Sequence, residues 1–208
     1  MSPFDLQTMS LISLDFDRQA SDVSVMPDDV DYLHSSLREK LLEHVFVADL
    51  LRYLWQQGRR DMEVLRGEVD YGGHDLVLEC NGAMRHVQLK STRSIKKRRP
   101  VNLHTSLLAK PAGCAILIVF DPETMQLGPF YWFGGAPGSA LPALGDRMGR
   151  HTRGDKKERP AIRVVSSSSF QKLATIAELA NALFGICRQA GQRPAGHPAR
   201  PGMAIRVT

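Results

Sequence analysis

Apolar residues recur at helical spacing in the first strongly patterned part of the chain, from Ser35 or Ser36 to Gln57. At about 100° per residue, Val47, Leu50 and Leu54 share one face of such a helix. Gly58, directly after the pattern, is typical of the residue that follows a helix end. The pattern therefore predicts a helix over this range.

Strand-like runs follow the helix, with the turn sequences Tyr71-Gly72-Gly73 and Asn81-Gly82 between the first three. The predicted strands are Met62–Asp70, His74–Cys80, His86–Thr92, Ala115–Phe120, Pro129–Phe133 and Ile162–Val165. Ala115–Phe120 is apolar throughout, which is typical of a strand covered on both faces. A short helix is predicted over Leu103–Ala109.

The last predicted element is a second amphipathic helix, within the stretch Phe170–Cys187. Ser166–Ser169 offers a helix N-cap, and a single apolar stripe follows it at Leu173, Ile176, Ala177, Ala180, Leu183 and Phe184. Residues 134–160 are rich in Gly, Pro, Arg and Lys. We expect them to form a loop or insertion with little regular structure.

The pattern predicts one domain with two extensions: an acidic N-terminal arm at 1–33, a domain at 34–188, and a basic Pro/Gly-rich tail at 189–208 that we expect to be disordered. There is no apolar run of about 18 residues, so no membrane-spanning helix is expected. Neither a secretory signal nor a CxxC spacing is visible, and the cysteines number three. These features predict a cytoplasmic protein.

Charge is distributed unevenly along the chain. Residues 1–35 carry a formal charge of −6. Since the whole chain has a net charge of +5, the remaining residues together carry +11. Seven basic residues and no acid lie between Met84 and Lys110. So basic a body suits a polyanion such as nucleic acid, because each neutralised phosphate releases counterions. A solvated surface balanced by the acidic arm explains the charge equally well.

The turn at Asn81-Gly82 allows a geometric inference about the hairpin around it. If these two residues form the centre of the turn, the residue numbers of any two paired positions add to 163. Asp75 then faces Gln88 on the neighbouring strand of the hairpin. Lys90 lies on the same face as Gln88, within diagonal reach of Asp75. The hairpin is therefore predicted to bring a carboxylate, an amide and an ammonium group together.

Glu43 lies in line with the apolar stripe of the first helix. A carboxylate in that position is costly unless it is paired or bound to a cation. The residue types leave both alternatives open: an ion pair with a nearby Lys or Arg, or a metal ligand.

A helix with a Glu, followed by a hairpin with an Asp and a [Glu/Gln]-x-Lys tripeptide, resembles the PD-(D/E)XK nuclease superfamily. The matching residues are Glu43, His74-Asp75 and Gln88-Leu89-Lys90, within about residues 36–120. The resemblance implies an α/β, restriction-endonuclease-like core with a central mixed β-sheet flanked by helices. His74 replaces the usual Pro. Gln88 replaces the usual Glu, as in a Gln-x-Lys branch, and removes one negative charge from the implied metal site.

The resemblance also implies roles for these residues. Asp75, the Gln88 side-chain oxygen, the Leu89 carbonyl and Glu43 would hold Mg²⁺ or Mn²⁺, and Lys90 would orient the attacking water or stabilise developing charge. Asp70 would replace Asp75 if the hairpin register differs. The basic residues after the motif would contact the phosphate backbone: Arg93, Lys96, Lys97, Arg98 and Arg99. The alternative interpretation is that these residues form an exposed, mobile loop that binds no ligand.

The leading hypothesis is a metal-dependent, endonuclease-like protein that hydrolyses phosphodiester bonds of DNA, with a homodimer as one assembly to be expected. One alternative is a catalytically lapsed nucleic-acid-binding module on the same fold. Another is a protein-interaction domain. The nuclease hypothesis predicts that Glu43, Asp75, Gln88 and Lys90 converge in an open, basic cleft. The interaction hypothesis predicts that Lys90 pairs with Glu43 or Asp75 and is closed off from solvent.

Overall fold

The computed structural model describes residues 34–67, 72–95, 98–151 and 157–186. The chain divides into two compact units, Met1–Ser36 and Leu37–Thr208. Residues 34–36 are all that is described of the first unit, so the fold given below is essentially that of the second. The predicted acidic arm at 1–33 and the tail at 189–208 lie outside the described residues.

The described residues form two sheets and two helices, and all but the first two residues of the first helix belong to the larger unit. In chain order the described elements are α1 (Ser35–Gln56), β1 (Glu63–Arg66), β2 (Leu76–Cys80), β3 (Ala83–Thr92), β4 (Pro100–His104), a 3-10 turn (Thr105–Ala109), β5 (Gly113–Phe120), β6 (Leu127–Gly134), β7 (Met148–Arg150), β8 (Glu158–Ser166), a second 3-10 turn (Ser167–Ser169), β9 (Gln171–Leu173) and α2 (Ile176–Phe184). The central sheet has the order β1-β2-β3-β5-β6-β9, and the smaller sheet the order β4-β8-β7.

The central sheet is mixed because β3 and β5 run parallel, whereas its other neighbouring strands are antiparallel. A parallel pair needs a crossover connection. Here the connection between β3 and β5 contains β4, which lies outside the central sheet and pairs with β8. The predicted mixed α/β architecture with flanking helices is confirmed.

Two apolar clusters cover the two faces of the central sheet. The larger one contains Phe46 and Leu50 of α1 together with Ile116 and Ile118 of β5. The smaller one contains Leu117 of β5 and residues of β4 and β8. Successive side chains of a strand point to opposite faces. This explains why β5 is apolar at every position, as predicted for a strand covered on both sides.

Helix α1 follows the sequence prediction closely. It ends at Gln56, and Gly58 then adopts a φ of +78°, which favours glycine. Its buried face contains the predicted stripe, Val47, Leu50 and Leu54, and also Glu43.

Other boundaries differ from the predictions. Residues 100–104 form strand β4, so the predicted helix at Leu103–Ala109 is reduced to a 3-10 turn. Strand β7 and the start of β8 lie in the stretch expected to be irregular. The last helix begins at Ile176, after the Thr175 hydroxyl accepts a hydrogen bond from the Glu178 N–H, while Leu173 belongs to β9. The Thr175 cap and the pairing of β9 therefore set the start of this helix, rather than the spacing of its apolar residues.

The described helices include none that is long and apolar enough to cross a membrane.

Candidate active site

The β2–β3 hairpin has the predicted register. Leu76 pairs with Val87 and Cys80 with Ala83, so paired positions add to 163. Asn81 and Gly82 both have positive φ, +56° and +69°. Two central residues with positive φ are characteristic of the type I′ turns that match strand twist.

Asp75 lies one residue before β2 and binds the edge of β3 through both its main chain and its side chain. Its N–H donates to the Val87 carbonyl at 2.8 Å, and its Oδ2 accepts from the Leu89 N–H at 2.6 Å. The carboxylate therefore satisfies a main-chain donor that a longer β2 would have bound. This fixes Asp75 beside Leu89.

A cavity of about 540 Å³ opens at this end of the hairpin. Glu43 of α1, Asp75, and Leu89 and Lys90 of β3 line it. Three of the four side chains that the resemblance singles out therefore share one cavity, together with the main-chain position expected to supply a carbonyl. Lys40 and His74 also line it.

Glu43 is 6% exposed and is held by two cations. Arg66 Nε donates to Oε1 at 2.7 Å, and Lys40 Nζ donates to Oε2 at 3.0 Å. Burial raises the pKa of Glu43, but the hydrogen bonds and charges of Arg66 and Lys40 outweigh it, so the pKa lies below its usual value. The ion-pair alternative is thus the one this structure contains. Lys40 is detectable from its i,i+3 spacing, whereas Arg66 is brought in by β1.

Gln88 does not line the cavity. It is 7% exposed, and its Oε1 accepts a hydrogen bond from the His104 N–H at the end of β4, at 3.1 Å. A buried polar side chain needs a partner, and β4 supplies one. This differs from the expected convergence of Gln88 with Asp75 and Lys90.

Lys90 is half-buried and forms no ion pair within the part of the chain that the structure describes. The interaction hypothesis expects Lys90 to pair with Glu43 or Asp75, yet the cations on Glu43 are Lys40 and Arg66. The Lys90 ammonium group thus remains available to a ligand in the cavity.

The predicted phosphate-contacting residues are described only in part. Arg93, Arg98 and Arg99 are exposed after β3, while Lys96 and Lys97 lie outside the described residues, as does the alternative ligand Asp70. Of the seven basic residues counted between Met84 and Lys110, Arg85 is not available to a polyanion, because it is fully buried.

The donor set around the cavity suits a hard cation. Asp75 and Glu43 offer carboxylate oxygens and Leu89 a main-chain carbonyl, the oxygen ligands that Mg²⁺ takes. Among the described residues, however, no three His, Cys, Asp or Glu side chains are grouped closely enough to hold a metal ion. A cation here would depend on the main chain and on water for further ligands.

The chain is similar in structure to Hjc, a Holliday junction resolvase from the archaeal hyperthermophile Archaeoglobus fulgidus. The similarity has a TM-score of 0.37 at 18% sequence identity and covers 68% of this chain and 97% of that one. No protein-family model matches the chain, and neither does any curated protein sequence.

Proposed function

We propose that this protein is a metal-dependent endonuclease that hydrolyses phosphodiester bonds of DNA. The observation that carries the proposal is the cavity in which Asp75, Glu43 and Lys90, supplied by three different segments, lie together. Such a combination of carboxylates and an ammonium group suits phosphoryl chemistry, which needs charge stabilisation more than a covalent nucleophile.

Asp75, the Leu89 carbonyl and Glu43 would hold Mg²⁺ or Mn²⁺. When bound, the ion would activate a water and offset charge on the scissile phosphate. Glu43 would join by exchanging one of its two cations. Both have exposed side chains, 69% for Lys40 and 42% for Arg66, and are free to turn towards a phosphate.

Of the remaining residues, some would contact the substrate and one would hold the site in position. Lys90 stabilises negative charge that develops at the reacting phosphate. The basic run at 93–99 contacts neighbouring phosphates without reading bases. Gln88 acts as a positioning residue: its bond to the His104 N–H ties β3 to β4 at the residue before Leu89.

The test is nicking of supercoiled plasmid with Mg²⁺ or Mn²⁺ by the full chain. Asp75→Asn and Lys90→Ala are each expected to lower the nicking rate roughly 100-fold or more, as for the loss of a charge-stabilising group. Lys172→Ala is the matched control, because this lysine is exposed on β9, outside the residues that line the cavity. Mn²⁺ binding measured without DNA should weaken in Asp75→Asn but not in Lys90→Ala. Unchanged nicking in both cavity variants would contradict the proposal.

A second candidate is a nucleic-acid-binding module that does not cleave. It is favoured by Glu43, whose two oxygens are already bound by cations, and by Gln88, whose amide oxygen is engaged by the main chain. It predicts salt-sensitive DNA binding that survives Asp75→Asn and weakens in Arg98→Ala, with no cutting by the wild type. A wild type that neither cuts nor binds would contradict both candidates and favour the protein-interaction hypothesis.

A further inference from the structure

Helix α1 has a second apolar face, opposite to the one that packs on the central sheet. Six positions spaced alternately by four and three residues lie within an arc of roughly 80°, and all six are exposed. They form the outer stripe: Leu37, Leu41, His44, Ala48, Leu51 and Trp55. This spacing is the heptad pattern of helices that pack against other helices.

The outer stripe exposes large apolar side chains to an unusual degree. The exposed fractions are 68% for Leu37, 40% for Leu41, 39% for Leu51 and 64% for Trp55. Single exposed apolar residues are normal on a protein surface, but a contiguous row marks an interaction site. Arg60 stacks on Trp55 with its guanidinium 3.5 Å from the ring centroid, so the tryptophan is held in place yet remains open on the outside.

The outer stripe is complementary to itself when a second copy runs antiparallel. It is symmetric about Phe46, so an antiparallel partner matches Leu37 with Trp55, Leu41 with Leu51, and His44 with Ala48. Large side chains then meet large ones, and the imidazole meets the smallest side chain. A parallel partner would instead place His44 against His44 and leave a gap between the two Ala48 residues.

We propose that the outer stripe of α1 is a homodimer interface in which two copies of this chain pack their α1 helices antiparallel about a two-fold axis. A two-fold contact uses the same patch on both subunits, as this symmetry requires. The proposal does not depend on nuclease activity, and its failure would leave the proposed function untouched.

The size of the contact determines how stable the dimer is. The helix has 22 residues, and a strip roughly 30 Å long and one helix diameter wide, roughly 10 Å, covers roughly 300 Å² in projection. Stable complexes bury about 800 Å² of accessible surface on each partner. The contact is smaller than that, so we expect a reversible dimer whose population rises with protein concentration.

The first test is sedimentation of the full-length chain from low micromolar to several hundred micromolar concentration. The wild type should pass from monomer to dimer, and Leu41→Glu/Leu51→Glu should shift that transition at least tenfold to higher concentration. Leu108→Glu is the matched control, since Leu108 is 45% exposed on a 3-10 turn away from α1. Thermal melts followed by circular dichroism establish that each variant is folded. A wild type that is monomeric throughout, as when residues 1–33 or another protein cover the stripe, overturns the proposal.

Disulfide formation tests the antiparallel arrangement. Cys80 and Cys114 are buried, so a Cys187→Ser background leaves the introduced thiols as the exposed ones. Leu41→Cys/Leu51→Cys should form a covalent dimer under mild oxidation, whereas Leu41→Cys alone should not, because residue 41 faces residue 51 of the other copy. Equally efficient cross-linking of the single variant indicates a parallel pair. A dimer that does not respond to the stripe substitutions indicates a different interface. Either result overturns the proposal.

Discussion

Arg85 is a buried cation that closes the end of helix α2, and its replacement offers a quantitative test of the structure. It lies in β3 and is fully buried. Its Nε donates to the Leu183 carbonyl at 2.7 Å, and its Nη2 donates to the carbonyls of Ala182 at 3.0 Å and Gly135 at 3.1 Å. Ala182 and Leu183 belong to the last turn of α2, where carbonyls have no partner within the helix.

The energetic balance has two opposing parts. A hydrogen bond from a charged donor contributes about 1.5–3 kcal/mol, and a cation at a helix C-terminus adds up to about 2 kcal/mol when partly buried. Against this, burial disfavours the charged form and lowers the pKa of Arg85, while its Nη1 has no hydrogen-bond partner among the residues that the structure describes. Arg85→Met removes that cost but leaves up to three carbonyls unsatisfied, at about 1–3 kcal/mol each. We expect a net loss of about 2–4 kcal/mol in the free energy of unfolding.

The assay is urea unfolding of the full chain at neutral pH, with the slope checked for constancy across variants. Arg85→Lys keeps the charge but loses the planar guanidinium group with its several donors. Its free energy of unfolding should therefore lie between those of the wild type and Arg85→Met. Arg159→Met is the control at an exposed arginine and should change stability by less than about 0.5 kcal/mol. If Arg85→Met matches or exceeds the wild type, the burial cost of the cation outweighs its hydrogen bonds, and the reasoning is refuted.

Two further predictions concern titratable groups. Burial lowers the pKa of His86 below 6.5, assisted by nearby positive charge and only partly opposed by its hydrogen bond to a carbonyl. The folded state therefore favours neutral His86: its contribution to stability is present above about 6.5 and is lost as the pH falls through the lower folded value. In urea unfolding at a series of pH values, His86→Gln should reduce the loss of unfolding free energy below about pH 6.5. The same pH dependence in the variant and the wild type would contradict the assignment. Burial raises the pKa of Cys80 to about 11 and that of Cys114 to about 12. In a Cys187→Ser background, a thiol reagent at mildly alkaline pH should therefore modify neither cysteine before denaturation. Rapid modification of either cysteine in the folded chain would show that its thiol is not protected.

Features with a local cause were predictable from the sequence. The ends of α1 followed from its period and Gly58, because helix termination depends on residues next to the end. The hairpin register followed from Asn81-Gly82, because a two-residue turn fixes which residues pair along the whole ladder. The two-sided burial of β5 followed from its uniformly apolar sequence.

Features that depend on distant partners were not predictable. Nothing near Glu43 in the sequence indicates Arg66, which is 23 residues away and reaches it through β1. Arg85 lies in the acid-free stretch between Met84 and Lys110 and would pass for a surface residue, yet two of the three carbonyls it binds come from α2, nearly one hundred residues later. A sequence pattern shows that a polar side chain is present. Tertiary packing decides which partner satisfies it.

The presence of Gln at position 88, where the resemblance leads one to expect Glu, has a physical reason in this packing. Gln88 is almost fully buried and accepts a main-chain N–H. A carboxylate there would make the same hydrogen bond but would add a buried charge, which is costly without a nearby cation. With a neutral side chain at this position, the negative charge of the proposed site comes from Asp75 and Glu43. Since Glu43 is shared with Arg66 and Lys40, the release of that ion pair, rather than the residue at position 88, would govern how strongly a divalent ion is held.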